Sequence, residues 1–188
     1  RSCISPSFSA FDQSMIALKV IGDSHRPTII VSRPASIRFA MAISAQSGCA
    51  GAALWRRRFG ETLEKMVTRF PYWLSRNAWK FVNQEDDLPV DQHMLLGLIA
   101  PRPVYVASGV EDTWADPRGE YLSAYHASEV YRLLGKRGLK SEASPPIGEA
   151  ITDSDVGYHV REGGHSVELY DWMRFLDFAD HHLQKGSR

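Results

Sequence analysis

Val104-Tyr-Val-Ala-Ser-Gly-Val-Glu-Asp-Thr-Trp-Ala-Asp-Pro117 passes from an apolar run into an acidic loop and on to a proline that suits a helix start. Residues Pro103 to Ala107, Pro-Val-Tyr-Val-Ala, form a short run without polar alternation, and they stop at Ser108-Gly109. A short run of that kind reads as a strand buried on both faces, the signature of a parallel sheet. The loop that follows carries Glu111, Asp112 and Asp116.

Working outward, Ile16 to Ile21 is a second strand of the same character, ending at Gly22, and Phe39 to Ile43 is a third, ending at Ser44. Helical patterns lie between and after them. Asp91 to Ile99 starts on an Asp N-cap and stops before Pro101; Glu120 to Leu134 spaces Tyr121, Tyr125, Val130, Leu133 and Leu134 and stops at Gly135. The last helix, capped by Ser166, places Leu169, Trp172, Leu176, Ala179 and Leu183 on one face. Strands alternating with helices predict an α/β fold, with mostly parallel strands and helices on both faces. The stretch from Phe70 to Leu88, with Trp73, Trp79 and Phe81, fits neither period and reads as an irregular segment, either a cover over a site or a plain surface excursion.

The chain has 188 residues, 22 Lys and Arg against 22 Asp and Glu, and 44% hydrophobic residues. One domain over 1–188 is expected, with residues 1–15 a loose lead-in. Zero formal charge argues against nucleic-acid or anionic-membrane binding, each of which needs a basic surplus. No apolar run reaches the length of a membrane span, and no signal-peptide core precedes the first strand. Cys3 and Cys49 make neither a disulfide framework nor a thiolate zinc cluster. The histidines show no metal-ligand spacing and no glycine-rich phosphate loop is present, so neither a metal nor a cofactor is expected. Nothing in the sequence sets an oligomeric state.

Three short motifs carry chemistry. Gly22-Asp23-Ser24 directly follows a strand, as in the front of a nucleophile elbow. Asp112 lies five residues beyond Ala107, on the loop where an α/β-hydrolase keeps its triad acid. Glu111 is the neighbouring alternative, and Asp116 is better suited to capping the next helix. Gly163-Gly164-His165-Ser166 precedes the last helix, with glycines that permit close backbone approach. The order Ser24, Asp112, His165 is the α/β-hydrolase order of nucleophile, acid and histidine. His159 is a candidate supporting residue; His93, His126, His181 and His182 read as packed or solvated.

The chain resembles the glucuronoyl esterases, carbohydrate esterase family 15, in their bacterial form. The likeness is dense from about Arg38 onward. It rests on Ser47-Gly-Cys-Ala-Gly-Ala-Ala-Leu54, Arg57-Arg-Phe-Gly-Glu61, Leu88-Pro-Val-Asp-Gln-His-Met-Leu95, Leu98-Ile-Ala-Pro-Arg-Pro103, Asp112-Thr-Trp-Ala-Asp-Pro-Arg-Gly-Glu120, Gly157-Tyr-His159 and Gly163-Gly-His165. It implies the C-terminal half of an α/β-hydrolase catalytic domain. It also implies a metal-free serine hydrolase that cleaves 4-O-methyl-glucuronate esters joining xylan to lignin, secreted or periplasmic. Ser24 is then the nucleophile, His165 the general base and acid, and Asp112 the acid. Gln46 stands at the family's other acid position. The resemblance further implies that Trp114 packs on the sugar, that Glu61 accepts from its hydroxyls, and that Trp55 and Arg56 match a Trp-Arg pair of some members.

The elbow departs from the family pattern Gly-x-Ser-Arg-x-Gly-Lys: His25 stands at the oxyanion-holding Arg, with Arg26 one place on, Pro27 at the Gly and Thr28 at the Lys. Only 23 residues precede Ser24, so the N-terminal half of the family's sheet is expected to be missing and these residues alone to be inactive. Two other classes remain open: a non-catalytic carbohydrate-binding remnant, and another carbohydrate esterase such as an acetyl-xylan or feruloyl esterase.

Overall fold

A computed structural model describes residues 39–183. The Ile16–Ile21 strand, the lead-in, Ser24, His25 and Arg26 lie outside the described residues. Within them the expected α/β architecture is present. Strands β1 (Ala42–Ala45), β2 (Val104–Gly109), β3 (Ala150–Ile151) and β4 (Val156–Arg161) form one sheet of order β1-β2-β4-β3. β1, β2 and β4 run parallel, and the two-residue β3 closes one side antiparallel to β4.

β2 is the buried centre, with every residue from Val104 to Gly109 inaccessible. Its alternation sorts the two faces. Val104 and Val106 pack with Val156, Tyr158 and Val160 beneath α2 (Gln92–Gly97) and α3 (Pro117–Leu133). Tyr105 and Ala107 face α4 (Leu169–Leu183), where Phe175 and Phe178 fill the opposite layer. Helices therefore cover both faces, as the strand composition predicts. Asp91 caps α2, its Oδ1 accepting from the Gln92 N–H at 2.8 Å. A further short helix, α1 (Leu63–Arg69), is capped by the Thr62 side chain.

Three details differ from the sequence reading. The third strand is Ala42–Ala45 rather than Phe39–Ile43. α3 buries Tyr121, Ala124, Ala127, Ser128 and Tyr131, while Leu133 is 85% exposed, because small residues let the helix sit close to the sheet. α4 is turned from its expected face: Leu169 and Leu176 are exposed, and Asp171, Phe175 and Phe178 are buried. Counting only apolar residues skipped Asp171, which belongs on the inner stripe because its charge is compensated there. Ser166 does not cap this helix either. Its hydroxyl donates to Glu168 Oε1 at 2.6 Å, and the Glu168 N–H donates to Asp171 Oδ2 at 2.7 Å.

Candidate active site

Two loops meet at the carboxyl ends of the central strands. The loop after β2 is pinned to the end of β4: the Val110 N–H donates to Arg161 O at 2.8 Å and the Glu111 N–H to Gly163 O at 3.1 Å. The Ala115 N–H donates to Asp112 Oδ1 at 3.2 Å, which leaves Oδ2 free to turn toward the second loop. There His165 Nδ1 lies 2.7 Å from Asp112 Oδ2. Asp112 is buried and His165 half exposed, so one imidazole edge is anchored and the other is accessible. Glu111 is exposed and contributes its backbone. The hydrogen bond that His165 Nδ1–H donates to Asp112 holds the imidazole pKa above its ordinary value, against the opposing effect of burial.

Gly109 makes this meeting possible. A Cβ there would sit 2.6 Å from Gly164 O and 2.7 Å from Gly163 O, so the His165 loop rests directly on the strand end. Gly109→Ala is expected to push that loop outward and break the 2.7 Å pair. Titrating His165 by NMR checks this: its pKa should fall toward that of free imidazole, and an unchanged titration in the folded variant would refute it.

The His165 loop is held from behind by a buried charge network that sequence reasoning missed. Asp171 is fully buried. Its Oδ1 is 2.7 Å from His159 Nε2, and its Oδ2 accepts from Arg161 Nε at 2.7 Å. The Arg161 guanidinium then donates to the carbonyls of Glu162, Gly164 and Ser166, on both sides of His165. His159 Nδ1 pairs with the Tyr105 hydroxyl at 2.9 Å. His159 thus supports the loop through Asp171 and Arg161. The cue in the sequence is Asp171 itself, a charge in phase with Phe175 and Phe178.

Glu61 and Trp114 come together beside this centre, although 53 positions separate them. The Glu61 N–H donates to Trp114 O at 2.8 Å, and Trp114 Nε1 donates to Glu61 Oε1 at 3.0 Å. Burial raises the Glu61 carboxyl above its ordinary value. Trp114 lies two residues beyond Asp112 on the same loop and keeps 38% of its surface exposed. It borders an open cavity of about 400 Å³ lined also by Glu64, Lys65, Thr68 and Arg69. Lys65 Nζ stands 5.1 Å and the Arg69 guanidinium 5.7 Å from its ring. A half-exposed aromatic face bordered by hydrogen-bond donors suits contact with a polar ring.

Trp55 has a separate anchor, its N–H donating to Asp91 Oδ1 at 2.8 Å, and Arg56 Nη1 lies 3.2 Å from Asp91 Oδ2. Asp116 occupies the position before α3 with φ 56°, yet its carboxylate caps no helix N–H. It takes Arg57 instead, at 2.6 and 3.2 Å. Gln46 is buried at the end of β1, and its Nε2 has no hydrogen-bond partner among the described residues. His182, expected to be solvated, is largely buried and pairs with Ser154 O at 3.0 Å. Among the described residues no three His, Cys, Asp or Glu side chains gather as a metal site, and no helix is long and apolar enough to cross a membrane.

A family model described as glucuronyl esterase of fungi matches residues 29–135. The chain belongs to the glucuronyl esterase family. Carbohydrate esterase MZ0003, from an unknown prokaryotic organism, is 49% identical over 150 residues, which cover 80% of this chain and 34% of that protein. The 4-O-methyl-glucuronoyl methylesterase of Podospora anserina is 33% identical over 91 residues, 47% of this chain and 19% of its own length. Among solved structures, a promiscuous CE15 esterase from the marine bacterial metagenome superposes with a TM-score of 0.75 at 50% identity, covering 77% of this chain and 36% of that one. The chain spans about a third of the length of the bacterial relatives it matches. As in other glucuronyl esterases, the fold is that of an α/β-hydrolase, of which the described residues form part.

Proposed function

We propose that the described residues are the acid–histidine and sugar-binding portion of a secreted or periplasmic serine carboxylester hydrolase. Its substrate is a 4-O-methyl-glucuronate ester joining xylan to lignin. The observation that carries this reading is the 2.7 Å contact between His165 Nδ1 and buried Asp112 Oδ2, with the Glu61–Trp114 pair on the same loop system. With Asp112 accepting from Nδ1–H, His165 keeps Nε2 unprotonated and free to take a proton. Ser24 attacks the uronate carbonyl as Nε2 takes its proton, and the alcohol leaves with that proton. Water activated by the same nitrogen then hydrolyses the acyl-enzyme. The indole face of Trp114 packs on the sugar, and Glu61 accepts from its hydroxyls. His25 and Arg26 stand where the family's oxyanion donor is expected, and a weakened donor there costs about 10²–10³ in rate.

Release of alcohol from a methyl or benzyl glucuronate ester tests the proposal. Hydrolysis abolished by Ser24→Ala and by His165→Ala supports it. Hydrolysis unaffected by Ser24→Ala would refute the mechanism. Sugar binding without any hydrolysis, unchanged by Ser24→Ala, would favour the non-catalytic reading. The pH profile adds a signed expectation. Because Asp112 raises His165, the acid limb of kcat/KM should lie above the ordinary imidazole value, with activity lost as pH falls through it. The same pairing stabilises the fold at low pH, and its contribution is lost as pH rises through the raised pKa.

A further inference from the structure

Glu120, on the first turn of α3, is completely buried, and its carboxylate lies under both halves of the site. Oε1 accepts from the Ser47 N–H at 2.6 Å, the Gly48 N–H at 3.2 Å and the Ser47 hydroxyl at 3.3 Å. Oε2 accepts from the Ser108 hydroxyl at 2.6 Å. Those donors come from two places. Ser47 and Gly48 form the turn after β1, with Gly48 at φ 63°. That turn abuts the sugar side of the site, since a Cβ at Gly48 would meet Glu61 Oε2 at 2.5 Å. Ser108 is the next-to-last residue of β2, four positions before Asp112.

One carboxylate in the interior therefore ties the strand that delivers Asp112 to the turn that backs Glu61. A side chain placed only for packing needs no such set of donors, and a buried carboxyl is costly unless its hydrogen bonds are satisfied. Resting on the site reading above, we infer that Glu120 is a positioning residue that fixes the Asp112–His165 pair through Ser108 and the Glu61–Trp114 pair through the Ser47–Gly48 turn. Burial outweighs these hydrogen bonds and pushes the Glu120 pKa up to about 8, so near neutral pH the neutral acid is populated, its Oε2–H donating to the Ser108 hydroxyl, which turns to accept. Glutamine copies that form. Its carbonyl oxygen can replace Oε1 toward the two N–H groups, and its amide can donate to the Ser108 hydroxyl, which turns to accept.

The test uses NMR of the folded chain: the His165 imidazole titration and the Trp114 indole N–H resonance, neither of which needs turnover. In Glu120→Ala the His165 pKa is expected to fall toward that of free imidazole and the Trp114 indole resonance to move. Glu120→Gln should restore both close to wild type. Ser108→Ala, which breaks only the β2 arm, should shift His165 and leave Trp114 in place. It decides the matter if Glu120→Ala fails to fold. A folded Glu120→Ala with both signals unchanged, a Gln variant as disturbed as the Ala variant, or a Ser108→Ala that leaves His165 untouched would each overturn the inference. Ester hydrolysis that survives Ser24→Ala would instead count against the proposed reaction, because these readouts report geometry alone.

Discussion

Asp112→Asn is expected to lower kcat for glucuronate ester hydrolysis by about four orders of magnitude with little change in KM. Asp112 Oδ2 holds His165 Nδ1 at 2.7 Å. An asparagine amide turned toward Nδ1 donates to it, selects the tautomer protonated on Nε2 and leaves no base to face the nucleophile. In the proposed reaction the carboxylate also stabilises the imidazolium that forms during attack, and a neutral amide cannot. The loss should fall on kcat, since the Glu61–Trp114 pair, proposed to hold the sugar, does not include Asp112. Steady-state kinetics on a methyl ester check the magnitude, and an Asn variant within tenfold of wild type would remove Asp112 from the triad. The His165 titration supplies a second check, since the variant should bring it down from its raised value.

The second large effect concerns stability. Asp171→Asn is expected to cost about 3–5 kcal/mol of unfolding free energy, the range for breaking a buried ion pair on one side. That is a large part of the 5–15 kcal/mol typical of a whole domain. The variant leaves Arg161, buried beneath the His165 loop, without its anion, and it disturbs His159, which has no access to water. The pH dependence has a definite sign. Burial pushes the Asp171 carboxyl up, but the hydrogen bonds from His159 and the Glu168 N–H, with Arg161, outweigh it and hold the pKa below the ordinary value. Its contribution is therefore complete above the unfolded carboxyl pKa of about 3.9 and is lost as pH falls through the depressed folded value. Urea unfolding at neutral pH should separate the two proteins widely, and the gap should close in strong acid. Equal midpoints at neutral pH would show that the network contributes nothing net.

Legibility in the sequence followed the physics of each element. β2 could be read because Val104 to Ala107 is continuous and apolar, with a glycine to end it. β4 could not. Gly157, His159 and Arg161 interrupt its Val and Tyr residues, and those polar groups are buried only because Asp171 and Tyr105 satisfy them. The same compensation hid the true face of α4. In the site, Asp112 and His165 were visible from chain order alone, since each follows a recognisable local pattern. Glu61 and Trp114 were accessible only through family resemblance, because nothing local joins residues 53 positions apart. Glu120 reads as an ordinary helix surface charge until its four donors are seen.

The strand register has a kinetic consequence. Ala42 pairs with Val104, and Val104 pairs in turn with Val156, so each parallel ladder closes a loop of more than fifty residues before any contact repays it. Local pieces such as the α2–α3 pair can form early, but long-range parallel pairing is slow. Asp112 and His165 leave the ends of two strands that meet only through that pairing. The Asp112–His165 pair is therefore expected to form with the last stage of refolding. Recovery of the His165 signal should track global refolding, trailing the return of helical signal.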